Sequence, residues 1–303
     1  MLMSARPLSA IDHPRWLKPA PAIFLLLWSS GFVFLKLGLQ YADPLTFLAL
    51  RYACVIGILL VAALWIRPRL PDSPRAWLRI ATIGLLIQAG YFSFMYLCLK
   101  TGVSAGAAAL ITSQQPILVG LLAPVIAGER VDLKRWAGLA LGVSGAIWVI
   151  AARSTIDVTS VIGFVFAVLS LVAMTAGTLL EKRFDTRAHP ITTNLIQYAV
   201  GFAVSAPLAY ALEPMHIEWT TGLIGSLAYL VVFNSIIAIT LLLAMIRFGE
   251  ASRVSALFFL VPPMTTLIAR VVLGEPVPVL VWPGMALAAA GLYLVMRDTR
   301  RTA

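Results

Sequence analysis

Apolar positions along this chain fall in long continuous runs, neither alternating like a half-buried strand nor confined to one stripe like a soluble helix. A helix needs roughly 20 such residues to cross a bilayer core of about 30 Å. Ten runs qualify: 20–39, 44–66, 77–98, 103–126, 133–151, 159–181, 190–212, 222–246, 251–272 and 278–297. Proline and glycine punctuate them, as in Ala42-Asp43-Pro44 and Gly274-Glu275-Pro276. A membrane barrel is excluded because its strands would alternate, whereas a helix pairs every backbone group within its own segment. With nine runs behind it, the first is read as a span and not as a cleaved leader. The predicted fold is an all-α integral membrane protein.

Composition agrees: 60% of the 303 residues are hydrophobic and 12% are charged, against about 25% charged in a soluble domain. The net charge of +10 acquires its meaning from placement. With the N-terminus inside, eighteen Lys and Arg fall in cytoplasmic stretches, and only Lys36, Lys100 and Arg153 fall on the opposite side. The basic excess is therefore a positive-inside topology signal that puts both termini in the cytoplasm, and not a nucleic-acid surface. Cys54 and Cys98 lie in apolar runs, and His13, His189 and His216 lie in polar connections. No disulfide framework, metal site or cofactor is expected from them.

Sliding the sequence on itself by 146 residues pairs Gly31 with Gly177, Lys36 with Lys182, Pro44 with Pro190, Tyr52 with Tyr198 and Gly128-Glu129 with Gly274-Glu275. Trp136, Gly138 and Gly145 meet Trp282, Gly284 and Gly291 at the same offset. Each half holds five spans, an odd number, so the second half enters the membrane upside down. The expected organisation is a tail over 1–19, a first five-helix repeat over 20–151, a connection over 152–158, a second repeat over 159–297 and a tail over 298–303. Inverted repeats of this kind recur in secondary transporters, with substrate held near the midplane between the halves.

The segment Trp28-Ser29-Ser30-Gly31-Phe32, Pro44 followed by Arg51, Pro116 followed by Gly128-Glu129-Arg130, and the Gly138 to Gly145 helix resemble the ten-helix EamA-type members of the drug/metabolite transporter superfamily. Pro262, Gly274-Glu275 and Gly284 to Gly291 repeat the pattern. The resemblance implies a multi-pass exporter of small metabolites in a bacterial inner membrane, similar to amino-acid exporters including the aromatic type. It also implies a central cavity surrounded by helices one to four and six to nine. The expected partners are a small-molecule substrate and membrane lipid, with the chain a monomer or homodimer.

Candidate substrate-binding residues follow from depth in the spans. Trp28, Ser30, Gln88, Gln115, Asn234 and Ser235 fall near the midplane, and Gln88 and Asn234 coincide under the shift. A buried amide must be hydrogen-bonded, so it faces a wet cavity or makes an interhelical bond. Trp28 lies too deep for an interfacial belt, unlike Trp77 and Trp219. Tyr91 shares a helical face with Gln88. Tyr96 reads instead as packing or interface anchoring, and Phe258 and Phe259 as core. Pro116, Pro262 and Pro263 interrupt helices four and nine and are candidate hinge or gating residues. Arg51 is a cation well inside a span; it either snorkels or pairs with a substrate carboxylate. Its mate under the shift is Gln197.

No Asp, Glu or His occupies the middle third of any span, so an intramembrane proton relay has no evident carrier. The expectation is export of amino acids or similar metabolites by alternating access, driven by the substrate's own gradient. Efflux of hydrophobic drugs is the related alternative. An integral membrane enzyme, such as a lipid-modifying transferase, lacks a catalytic constellation, and a channel lacks a charged ring or carbonyl filter.

Overall fold

The computed structural model describes residues 19–101, 108, 111–128, 132–151, 161–184, 188–249, 251–273 and 279–296. The terminal tails, the connection over 152–158, most of Gly102 to Ala109, Glu129, Arg130 and the Gly274 to Pro276 boundary lie outside the described residues. The described chain is helical. Its helices are α1 (Ala20–Gly38), α2 (Pro44–Ile66), α3 (Pro74–Lys100), α4 (Gln115–Ile126), α5 (Leu133–Ala151), α6 (Val161–Phe184), α7 (Pro190–Leu212), α8 (Thr221–Phe248), α9 (251–273) and α10 (Val281–Met296). Among the described residues, seven helices are long and apolar enough to cross a membrane; Gln115–Ile126 and Trp282–Val295 are apolar but shorter. The protein is thus a multi-pass membrane protein. Large apolar side chains such as Leu64, Trp65, Val125 and Val271 are exposed on its outside, where lipid replaces water as solvent.

Local chemistry sets the helix starts. Proline opens α2, α3 and α7, where its missing N–H costs nothing. Ser73 Oγ accepts from Ala76 N at 3.2 Å to cap α3, and Thr220 Oγ1 accepts from Leu223 N at 3.2 Å to cap α8. The start of α2 is capped from a distance. Glu213, which follows α7, accepts from Leu45 N at 2.9 Å, Thr46 N at 2.8 Å and Thr46 Oγ1 at 2.9 Å, with Lys100 Nζ at 3.4 Å. A short bridge between Ala42 and Ile217 joins the same two connections.

The extensive helix contacts include α5 with α10, α2 with α7, α3 with α7, α1 with both α8 and α9, and α6 with both α3 and α4. The α5–α10 crossing is close enough to need glycine. A Cβ on Gly291 would lie 2.3 Å from Gly142 N, and one on Gly145 would lie 2.3 Å from Ala288 N. The main apolar core runs along α1, α2, α3 and α8, from Phe24 and Trp28 to Tyr198 and Phe258.

Candidate substrate chamber

The interior is shaped by departures from regular helix. Over Leu85–Tyr91 in α3 and Leu230–Ala238 in α8 the backbone takes wide i→i+5 turns, a rare geometry that frees carbonyls and is frequent at functional sites. Shifted by 146 residues, the first segment falls on 231–237, inside the second. Each wide turn is tied by a tyrosine from its own half of the chain. Tyr52 Oη donates to Gln88 O at 2.8 Å, and Tyr198 Oη donates to Ser235 O at 2.7 Å. The two rings meet edge to face at 5.3 Å where α2 crosses α7.

Helices α4 and α9 are broken at equivalent depths. A turn at Ser113 and Gln114 precedes Gln115, with Pro116 in the first turn of α4. In α9 a tight 3-10 turn over Leu257–Leu260 precedes Pro262. Both prolines sit where a new helix begins and no N–H is required. Pro263, next to Pro262, is buried.

These elements enclose a narrow chamber of two adjoining lobes that share Trp28, Phe32 and Tyr91 as a common wall. One lobe lies at the helix breaks, lined by Thr112, Ser113, Gln115, Phe258 and Pro262. The other is lined by Arg51, Phe92, Met95, Tyr96 and Asn234. Trp28 is packed edge-on against Phe258 at 5.5 Å and stacked with Tyr91 at 6.1 Å, so the walls present ring faces to whatever lies between. Among the described lining residues there is no carboxylate, and no group of three or more potential metal ligands occurs among the described residues. The walls offer aromatic faces and hydrogen-bonding groups around a space of only about 10 Å³ in one lobe and 30 Å³ in the other, so in this conformation the chamber is closed down to water-sized room.

Arg51 is buried at 1% exposure and does not snorkel. Its Nε donates to Ser235 Oγ at 2.6 Å, Nη2 to Asn234 Oδ1 at 2.7 Å and Nη1 to Tyr96 Oη at 3.5 Å, while its guanidinium lies 4.9 Å from the Phe92 ring centre. Asn234 Nδ2 in turn donates to Leu27 O at 3.3 Å.

The structure brings Trp28, Arg51, Tyr91, Gln115, Asn234 and Pro262 to the chamber wall, with Ser235 one bond behind Arg51. Ser30 bonds instead to Leu26 O, Leu27 O and, at 2.6 Å, Tyr229 Oη. Gln88, although the shift mate of Asn234, is enclosed beside Gly201 and Tyr52, and neither of its amide atoms finds a hydrogen-bond partner among the described residues. Gln115 Nε2 donates to Thr178 Oγ1 at 3.1 Å, which ties α4 to α6. Sequence reasoning passed over Phe92, Thr112 and Ser113, and read Tyr96 as packing. Tyr52 and Tyr198 were visible as a pair at the 146-residue offset, but nothing local announced the carbonyls they reach.

Apolar membrane-spanning helices around a narrow interior space lined by aromatic and polar side chains are the setting of this site, and sequence similarity places the chain among membrane transport proteins. Residues 21–151 and 161–297 match the EamA-like transporter family, and the chain belongs to it. It is a transporter with a small-molecule substrate, and neither the family nor its relatives are enzymes. The chain is 27% identical to a probable amino-acid metabolite efflux pump of Salmonella typhimurium, covering 90% of this chain and 92% of the relative. The protein of the same description from Escherichia coli is 26% identical, with the same shares covered. An uncharacterized transporter of Bacillus subtilis, YvbV, is 26% identical over 90% of this chain and 89% of its own length. A solved crystal structure superposes with a TM-score of 0.79 at 19% identity, over 94% of this chain and 97% of that one, a likeness of fold.

Proposed function

We propose that the chain is a bacterial inner-membrane exporter of amino acids or similar small metabolites, working by alternating access. In this reading ten membrane crossings form two five-helix units, 20–151 and 159–297, of opposite orientation, with both termini cytoplasmic. The observation that carries it is the placement of irregular backbone. The wide turns of α3 and α8 coincide under the 146-residue shift, as do the breaks of α4 and α9, and both breaks border one chamber. The helix contacts obey the same exchange. Swapping the halves turns α1–α9 into α6–α4 and α1–α8 into α6–α3, while α2–α7 and α5–α10 map onto themselves. In a bundle built this way, exchanging the conformations of the two halves gives a second arrangement that opens to the other side.

Cargo sits between Trp28, Tyr91 and Phe258, with Arg51, Gln115 and Asn234 as polar contacts, and the helix breaks at Pro116 and Pro262 act as hinges. The choice of amino acids rests on the two efflux pumps similar over nine-tenths of the chain. Purified protein in liposomes preloaded with an unlabelled amino acid should accumulate the labelled one by counterflow, with or without a proton gradient. Absence of exchange for every amino acid tested would overturn this substrate class.

A further inference from the structure

With the chamber read as the substrate site, as proposed above, the charge of Arg51 is its distinguishing feature. Every partner of this guanidinium is neutral: a serine hydroxyl, an asparagine amide, a tyrosine hydroxyl and a phenylalanine ring. The other titratable groups around it, Tyr52 and Tyr198, are phenols. Neutral dipoles satisfy N–H groups but do not cancel a charge, and a cation removed from water carries a penalty that only an opposite charge offsets well. The three bonds use one N–H on each nitrogen, and both terminal nitrogens carry a second.

The fold does not demand a cation at this position. The shift mate of Arg51 is Gln197, on the helix that crosses α2, and it is fully buried as a neutral amide with neither amide atom hydrogen-bonded. One half of the repeat therefore packs without a charge where the other half carries one. The charged copy is the one that borders the chamber, next to Trp28, Tyr91 and Phe92.

We infer that Arg51 is the receptor for a carboxylate on the cargo, so that the transported class is a monocarboxylate bearing an apolar, preferably aromatic, group. The guanidinium fork matches a carboxylate in two parallel hydrogen bonds, and one cation neutralises one negative charge, which disfavours a doubly charged phosphate. The described lining residues offer no carboxylate to an ammonium group. The α-amino group of an amino acid is accordingly tolerated without being the feature recognised.

The test is thermal stabilisation of the purified protein by phenylalanine, 3-phenylpropionate, phenylalaninamide and 2-phenylethylamine. The two carboxylates should bind about tenfold or more tightly than the amide and the amine, the loss expected when charge-assisted hydrogen bonds go unmade. Arg51→Gln should bring all four compounds to the same weak level, and Arg51→Lys, which keeps the charge without the fork, should fall between. Equal stabilisation by the amide or the amine, or no stabilisation by either carboxylate, overturns the inference even if Arg51→Gln cannot be purified. Binding of both carboxylates without amino-acid counterflow would uphold Arg51 as receptor and remove the amino-acid export reading. Counterflow of phenylalanine inhibited equally by all four compounds would do the reverse.

Discussion

Replacing Tyr52 by Phe deletes one hydroxyl, buried at 0% exposure, and leaves Gln88 O without the donor that now lies 2.8 Å away. Tyr198→Phe does the same to Ser235 O, whose donor lies at 2.7 Å. Both carbonyls sit in wide turns, where the regular i→i+4 partner is displaced, so the lost bond has no ready substitute within the helix. A net hydrogen bond contributes about 1 kcal/mol in soluble proteins and about 0.6 kcal/mol on average between membrane helices. Each substitution should therefore destabilise the protein by about 1 kcal/mol, a roughly fivefold change in the folded to unfolded ratio. The ring packing at 5.3 Å survives in both variants, so the hydroxyl alone is tested. Equilibrium unfolding in mixed micelles gives the numbers. The two single variants should agree within about 0.5 kcal/mol, the usual scatter for equivalent independent changes, and the double variant reports any coupling between the touching rings. No measurable loss in either variant would show that the tyrosines do not hold the turns. A loss in only one would break the equivalence of the halves at this point.

Glu213→Ala should cost about 2 kcal/mol, because it deprives the Leu45 and Thr46 N–H donors at the start of α2, and the Thr46 hydroxyl, of their acceptor; a melting temperature within error of the parent would contradict this. Gly291→Leu should abolish folded protein on size-exclusion chromatography, since its side chain would meet Gly142 N of α5. Gly57→Ala, where a Cβ meets nothing within 4 Å, should be neutral or stabilise by up to about 1 kcal/mol through helix propensity. Gln115→Leu should lower counterflow, because the side chain lines the chamber and ties α4 to Thr178; unchanged kinetics would assign it to packing alone.

The helices were legible because lipid permits little else: a continuous apolar run must be a helix, and α3 and α8 extend their predicted runs only by a few residues at each end. Depth in the spans singles out Trp28, Gln115 and Asn234, a face shared with Gln88 adds Tyr91, and a helix interruption adds Pro262; all five line the interior space. The wide turns were not legible. The stretch Leu85–Tyr91 has no distinctive propensity, and its geometry depends on packing partners far along the chain: Ile87 against Gly177 and Gln88 against Gly201. The equivalence of Gln88 and Asn234 failed for a related reason. Asn234 meets Arg51, whereas the corresponding partner position on the other side is Gln197, so identical depth yields different surroundings. Tyr96 packs in the core, as the sequence implies, and its hydroxyl also lies 3.5 Å from Arg51 Nη1 across helices, a relation that sequence spacing does not encode. Glu213 looked like an ordinary carboxylate past the end of a span, yet it is buried and serves a helix start 168 residues earlier.

The central claim, two oppositely oriented five-helix units, is tested most directly by side-specific labelling of one pair of shift mates. Asp72, between α2 and α3, and Glu218, between α7 and α8, are 146 residues apart and both exposed. Each is changed singly to cysteine and treated with a membrane-impermeant maleimide in intact spheroplasts and in inverted vesicles. The native thiols are shielded by helix packing, Cys98 being buried and Cys54 partly so. Asp72→Cys should react only in inverted vesicles and Glu218→Cys only in spheroplasts. Reaction of both from the same side would contradict the opposite orientation of the two units.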